Sequence, residues 1–166
     1  MLGGVFPEPA MRAASAVLLL LAGCAAPPPG GALDQVDATL DALHAAAARA
    51  DGPAYFALFA PRATFIGTDP GEHWDLPAFH EYAEPIFARG QGWTYETFDR
   101  HVTLSEHGDV AWFIERLRNA KYGETRGSGV LVRDGNHWLV AQYVLSFPVP
   151  NELAPDLVAR IRDAVR

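Results

Sequence analysis

The sequence is short of cysteine, lysine and net positive charge, and each shortage closes off a class of function. Cys24 is the only cysteine among 166 residues, so no intramolecular disulfide can form. None is needed, because a body of roughly 130 residues can bury about two thirds of its unfolded surface. Lys121 is the only lysine, and the formal net charge is −7. Without a basic stripe, neither a nucleic-acid backbone nor an anionic lipid surface has an electrostatic partner here. No serine elbow, glycine-rich nucleotide loop or free cysteine nucleophile is present, so acyl-transfer, phosphoryl-transfer and dinucleotide chemistry have no support. The six histidines are His44, His73, His80, His101, His107 and His137, and no two stand at the i, i+4 spacing of a helical zinc site. No metal and no cofactor is therefore expected. Nor does any apolar run reach the roughly 20 residues that span a bilayer.

What is present starts with an export pattern. Arg12 precedes a short apolar stretch, Ala13 to Leu21, which ends in Leu21-Ala22-Gly23-Cys24. This is similar to a bacterial lipobox, in which a peptidase cuts before the cysteine and the thiol carries a diacylglycerol. Residues 1–24 are thus expected to be a lipoprotein signal peptide lipidated at Cys24, with Met11 as the expected start. Residues 25–32, rich in Pro and Gly, read as a tether. The expected location is the cell envelope. With Ala25 instead of an aspartate after Cys24, it is the outer membrane facing the periplasm in a Gram-negative cell.

The body, residues 33–150 with a further helix at 151–166, begins helically. Asp34 is the expected N-cap, and Val36, Leu40, Leu43 and Ala47 make one apolar stripe on a helix over about 34–50. Asp51-Gly52-Pro53 starts a short helix carrying Tyr55, Phe56 and Phe59, which Ala60-Pro61 ends. A β-rich run covers residues 64–68 and a third helix runs from Leu76 to about Arg89. The period then becomes alternating in four runs, 93–107, 109–120, 125–133 and 137–147, separated by Gly108, Gly123 and Asp134-Gly135. The fold class is α+β, with helices on one face of an antiparallel sheet.

That order resembles the nuclear transport factor 2-like (NTF2-like) superfamily, and its SnoaL-like branch in particular. The resemblance rests on Phe65-Ile66-Gly67-Thr68-Asp69, Glu72-x-Trp74-Asp75, Ala111-Trp112-Phe113-x-Glu115, Arg126-Gly127-Ser128-Gly129-Val130-Leu131, and Trp138 through Asn151. It implies a cone, in which a strongly curved sheet wraps over three N-terminal helices and leaves an apolar pocket. It also implies possible pairing of two copies through their outer sheet faces. Fold alone does not assign chemistry, since the superfamily holds isomerases, dehydratases, hydrolases and non-enzymatic binders.

By the same resemblance, Trp74, Tyr82, Trp93 and Trp112 are expected at the mouth and wall of the pocket. Arg126, Ser128, Val130 and Val132 are assigned inward, as are Trp138, Val140, Gln142, Val144 and Ser146. Either Trp112 and Ile114 or Phe113 and Glu115 face the pocket from the preceding strand. Glu115, in an apolar run, needs a partner if buried, and Arg126 is the expected one. The leading expectation is a membrane-tethered protein that binds a small apolar or amphipathic ligand through Glu115, Arg126 and Gln142. The alternatives are a cofactor-free isomerase, dehydratase or hydrolase with Glu115 or the pair Asp99 and His101 as base, and a dimeric interaction module. Asp99 and His101 also read as an exposed polar edge, beside Glu96 and Arg100.

Overall fold

A computed structural model describes residues 30–165. The signal-peptide segment, Cys24 and most of the tether lie outside the described residues. Helix α1 (Ala32–Ala48) and the short α2 (Gly52–Phe56) precede strands β1 (Phe59–Ile66) and β2 (His73–Asp75). Helix α3 (Leu76–Phe87), strands β3 (Glu96–Leu104), β4 (Val110–Asn119), β5 (Gly123–Asp134) and β6 (His137–Ser146), and helix α4 (Ala154–Ala164) follow.

Local chemistry sets the helix starts. Asp34 does not cap α1. It sits in the first turn, and its Oδ2 accepts from the Gly31 N–H at 2.9 Å, so the helix begins two residues earlier than the sequence suggested. Asp51 caps α2 and Asp75 caps α3, each accepting a backbone N–H three residues on. The apolar stripe of α1 is buried as its spacing requires: Val36, Leu40, Leu43, Ala46 and Ala47 pack against the sheet.

All six strands form one sheet in the order β2-β1-β6-β5-β4-β3. Neighbours are antiparallel except β1 and β6, which run parallel. Two features differ from the expectation. Phe59 is the first residue of β1 and not the end of a helix, and β2 adds a short hairpin partner to β1. Ala60-Pro61 reads as a helix stop, but Pro61 lies in the irregular stretch between the Phe59–Val140 and Thr64–Gln142 pairs, where no regular ladder demands an N–H.

The facing of the strands also needs correction. On β5 the buried side is Thr125, Gly127 and Leu131, so Arg126 and Val132 face out, and Ser128 and Val130 with them. On β6, Leu131 pairs with Val140 but Val130 pairs with Gln142, so Ala141 is an extra residue. This bulge switches the face. Trp138 and Val140 are buried as expected, but Tyr143 and Leu145 then take the inner side and Gln142, Val144 and Ser146 the outer. On β4, Phe113, Glu115 and Leu117 are buried, while Trp112 and Ile114 lie on the outer face, 48% and 44% exposed.

Helix α4 buries none of its residues. Leu157, Val158 and Ile161 are exposed along it, with Leu153 just before it.

Candidate functional site

The concave side of the sheet meets α1 around one carboxylate. Glu115 is 1% exposed, and the strands beside it supply its surroundings. Its neighbour across the ladder on β3 is Arg100, and on β5 it is Gly127. On β3 the register skips Phe98 between Thr97 and Asp99, so Thr97 and Arg100, three apart, reach the same carboxylate. Gly127 is there for space, not for backbone freedom. A Cβ at that position would overlap the Tyr143 hydroxyl and crowd Glu115.

Four donors close on Glu115. Its Oε1 lies 2.8 Å from His44 Nε2 and accepts from the Tyr143 hydroxyl at 2.8 Å. Its Oε2 accepts from Arg100 Nε at 2.9 Å and from Thr97 Oγ1 at 3.3 Å. Burial alone would raise the carboxyl pKa, but the hydrogen bond and charge of His44, the Arg100 guanidinium and Tyr143 outweigh it and hold the pKa below its usual value. Arg100 is pushed the other way. Burial opposes its charge, and Glu115 and Asp41 more than compensate. Burial and the adjacent negative charge of Glu115 push the Tyr143 phenol well up. Arg100 Nη1 also donates to the Asp37 carbonyl at 3.2 Å and to the Asp41 carboxylate at 2.9 Å, which ties α1 to β3.

The consequence falls on His44. An ionised carboxylate only accepts, so Nε2 carries a proton and donates it to Glu115. The His44 ring lines a pocket of about 210 Å³, together with Tyr55, Phe65, Trp74, Tyr82 and Trp93 among others. That volume lies below the ~300 Å³ of common ligand sites. A pocket-lining histidine with one nitrogen fixed by a buried carboxylate is oriented to exchange a proton through the other, as a general acid or base does.

The expected site residues divide between the two faces of the sheet. Trp74, Tyr82 and Trp93 line the pocket, and Glu115 lies beneath its floor. Trp112, Arg126 and Gln142 do not reach it, for the reasons of parity given above. Arg126 is exposed and is not the partner of Glu115, a place taken by Arg100. Asp99 and His101 do meet, with His101 Nε2 3.3 Å from Asp99 Oδ1, but their side chains are 42% and 74% exposed and face away from the pocket. His44, Thr97, Arg100 and Tyr143 carried no expected role. For His44 a signal existed: eight residues after Val36 and four after Leu40, it falls on the buried stripe of α1.

A family model described as "SnoaL-like domain" matches residues 36–150. No curated protein matches the sequence. Among solved structures, an NTF2-like protein from Pseudomonas putida KT2440 superposes with a TM-score of 0.60 at 17% identity, over 72% of this chain and 88% of that one. A proposed dehydratase of the NTF2-like family from Streptomyces avermitilis gives 0.60 at 16% identity, over 72% and 97%. A cystatin-like fold protein from Burkholderia xenovorans LB400 gives 0.60 at 19% identity, over 72% and 94%. At these identities the likeness establishes the fold.

Proposed function

The chain belongs to the SnoaL-like domain family, and we propose that it is a cofactor-free proton-transfer enzyme of the isomerase or dehydratase kind, with His44 as its base. One observation carries this reading: His44 lines the pocket while its Nε2 is held by the buried Glu115, which leaves Nδ1 as the nitrogen that can exchange a proton with a substrate. Glu115 is then a positioning residue. Four hydrogen bonds saturate it, which makes it a poor base in its own right. His44 Nδ1 takes a proton from a substrate carbon. In an isomerisation the imidazolium returns that proton to another carbon of the same molecule. In a dehydration it gives the proton to the departing hydroxyl, which leaves as water.

We further propose that the enzyme works outside the cytoplasm, tethered to the cell envelope through lipidated Cys24. Access to soluble nucleotide cofactors is poor there, which agrees with chemistry done by side chains alone.

The test uses deuterium. The full chain, in nonionic detergent with a metabolite extract of its host made up in heavy water, is expected to introduce deuterium into one or a few metabolites, or to convert one by loss of water. His44→Asn should abolish the change, and Asp99→Asn should not. A metabolite that co-purifies and stays chemically unaltered, with no exchange anywhere in the extract, would return the protein to a binding role.

A further inference from the structure

The pocket lining is lopsided in charge. It includes no Lys or Arg, and Glu72 is its only carboxylate. Nine of the lining side chains are Phe, Tyr or Trp rings. They form a continuous wall: Phe65 stacks on Phe79 at 4.0 Å between centroids and on Tyr143 at 5.6 Å, and Trp74 stacks on Tyr82 at 4.7 Å. Aromatic faces carry negative potential, so such a wall attracts a cation. At the rim the chain shows this attraction itself, with Lys121 Nζ 4.6 Å from the centre of the lining Tyr122 ring.

Glu72 is held in place. Its Oε2 accepts from the Asp69 N–H at 3.1 Å, and the backbone N–H of Gly67 donates to the Glu72 carbonyl at 2.9 Å. Only glycine at position 67 allows this, since a Cβ there would overlap the Glu72 carboxylate. Glu72 and Tyr82 both line the cavity, and burial first, then the charge of Glu72, raises the Tyr82 phenol. The one buried cation near the pocket floor, Arg100, is already engaged by Glu115, Asp37 and Asp41. Arg126, which would have received an anionic end, is exposed on the outer face of the sheet.

We propose that the pocket selects a small organic cation, whose ammonium group rests against the aromatic wall and the Glu72 carboxylate while the rest of the molecule extends to His44. This names the substrate class for the proton-transfer reading and rests on it. An ammonium flanked by methyl groups suits the site best, because such a cation is shed cheaply from water and meets ring faces over a wide area. The overall charge of −7 favours its approach. The pocket volume of about 210 Å³ accommodates a cation of choline size.

The experiment compares choline with 3,3-dimethylbutan-1-ol, its neutral isostere with carbon in place of nitrogen. Binding to the full chain in nonionic detergent is followed by titration calorimetry. Choline is expected to bind at least about ten-fold more tightly than the alcohol. Glu72→Gln should bring choline down towards the alcohol and leave the alcohol unchanged, and Arg126→Ala should alter neither. Equal or tighter binding of the alcohol overturns the proposal. So does choline binding that ignores Glu72→Gln, and so does no choline binding at about 10 mM, a concentration worth under 3 kcal/mol of affinity. The same titration on His44→Asn separates the two readings, because charge selection there does not need the base. A chain that prefers choline yet exchanges no deuterium loses only the enzymatic reading. A chain that exchanges deuterium yet ignores the charge loses only this one.

Discussion

Glu115 decides most of what happens at the level of single residues. A carboxylate taken out of water costs several kcal/mol unless it is paired, and this one has Arg100 on one oxygen and His44 with Tyr143 on the other. Arg100→Ala is expected to cost ~3–5 kcal/mol in urea unfolding, because it leaves a buried charge short of its partner. Arg126→Ala should stay within ~0.5 kcal/mol, as exposed surface changes do. A double-mutant cycle should give a coupling of at least ~1 kcal/mol between Glu115 and Arg100 and none between Glu115 and Arg126. Acid should expose the same network. The folded-state pKa of Glu115 lies below its unfolded value, so the folded protein binds fewer protons. The stabilisation is therefore complete above the unfolded carboxyl value of about 4.3 and is lost as pH falls from there through the folded value. Glu115→Gln should flatten that part of the stability curve, and an unchanged acid limb would show that the carboxylate is solvated. The need of Glu115 for a cation was legible in its apolar surroundings. The identity of the cation was not, because Arg126 and Gly127 differ by one residue and thus by a whole face, and only the register of β4 against β3 and β5 puts Gly127 and Arg100 opposite Glu115.

At the scale of strands and helices, two single-residue bulges build the site. The one at Phe98 turns Thr97 and Arg100 towards the same carboxylate. The one at Ala141 turns Tyr143 and Leu145 inward after Trp138 and Val140. Alternation along the sequence shows where strands run, and it found β3 to β6. It cannot show where the alternation skips a beat, since Ala141 has nothing that marks it as the extra residue. Gln142 was placed inward for that reason. Deleting Ala141 tests the bulge directly. With the extra residue gone, Val140 and Gln142 become consecutive in a regular ladder, which keeps Tyr143 and Leu145 on the inner side and the Tyr143 hydroxyl beside Glu115. The deletion should therefore cost well under the ~3–6 kcal/mol that turning two buried side chains outward would cost, at about 1.5–3 kcal/mol each. A loss of ~3–6 kcal/mol in urea unfolding would mean that Ala141 is not the extra residue and that its removal turns Tyr143 and Leu145 outward.

At the scale of the whole molecule, the pocket draws on separate parts of the chain: His44 from α1, Tyr55 from α2, Phe65 from β1, Trp74 from β2, Tyr82 from α3 and Tyr143 from β6. The cone was legible from the order of its elements, but which rings meet inside depends on packing between segments distant in sequence. Charge is a global property as well, and it bears on attachment. A chain with net charge −7 and one lysine is repelled by anionic lipid, so electrostatics cannot hold it to a membrane. Beside the exposed stripe of Leu153, Leu157 and Ile161 the acids Glu152, Asp156 and Asp163 alternate with Arg160 and Arg162, which gives that stripe no net positive rim for lipid headgroups. The proposed tether would then rest on acyl chains on Cys24. One chain, at about 0.8 kcal/mol per buried CH₂, gives only marginal binding, so durable anchoring requires several. The full chain expressed in its host is expected to enter the detergent phase of a phase-partition assay, with a lipid-sized mass increment on Cys24. Cys24→Ser should lack the increment and retain the residues before position 24, because the peptidase acts after lipidation. Wild-type protein found in the aqueous phase with an unmodified Cys24 thiol would refute the anchor, and would leave the His44–Glu115 chemistry standing in a freely diffusing domain.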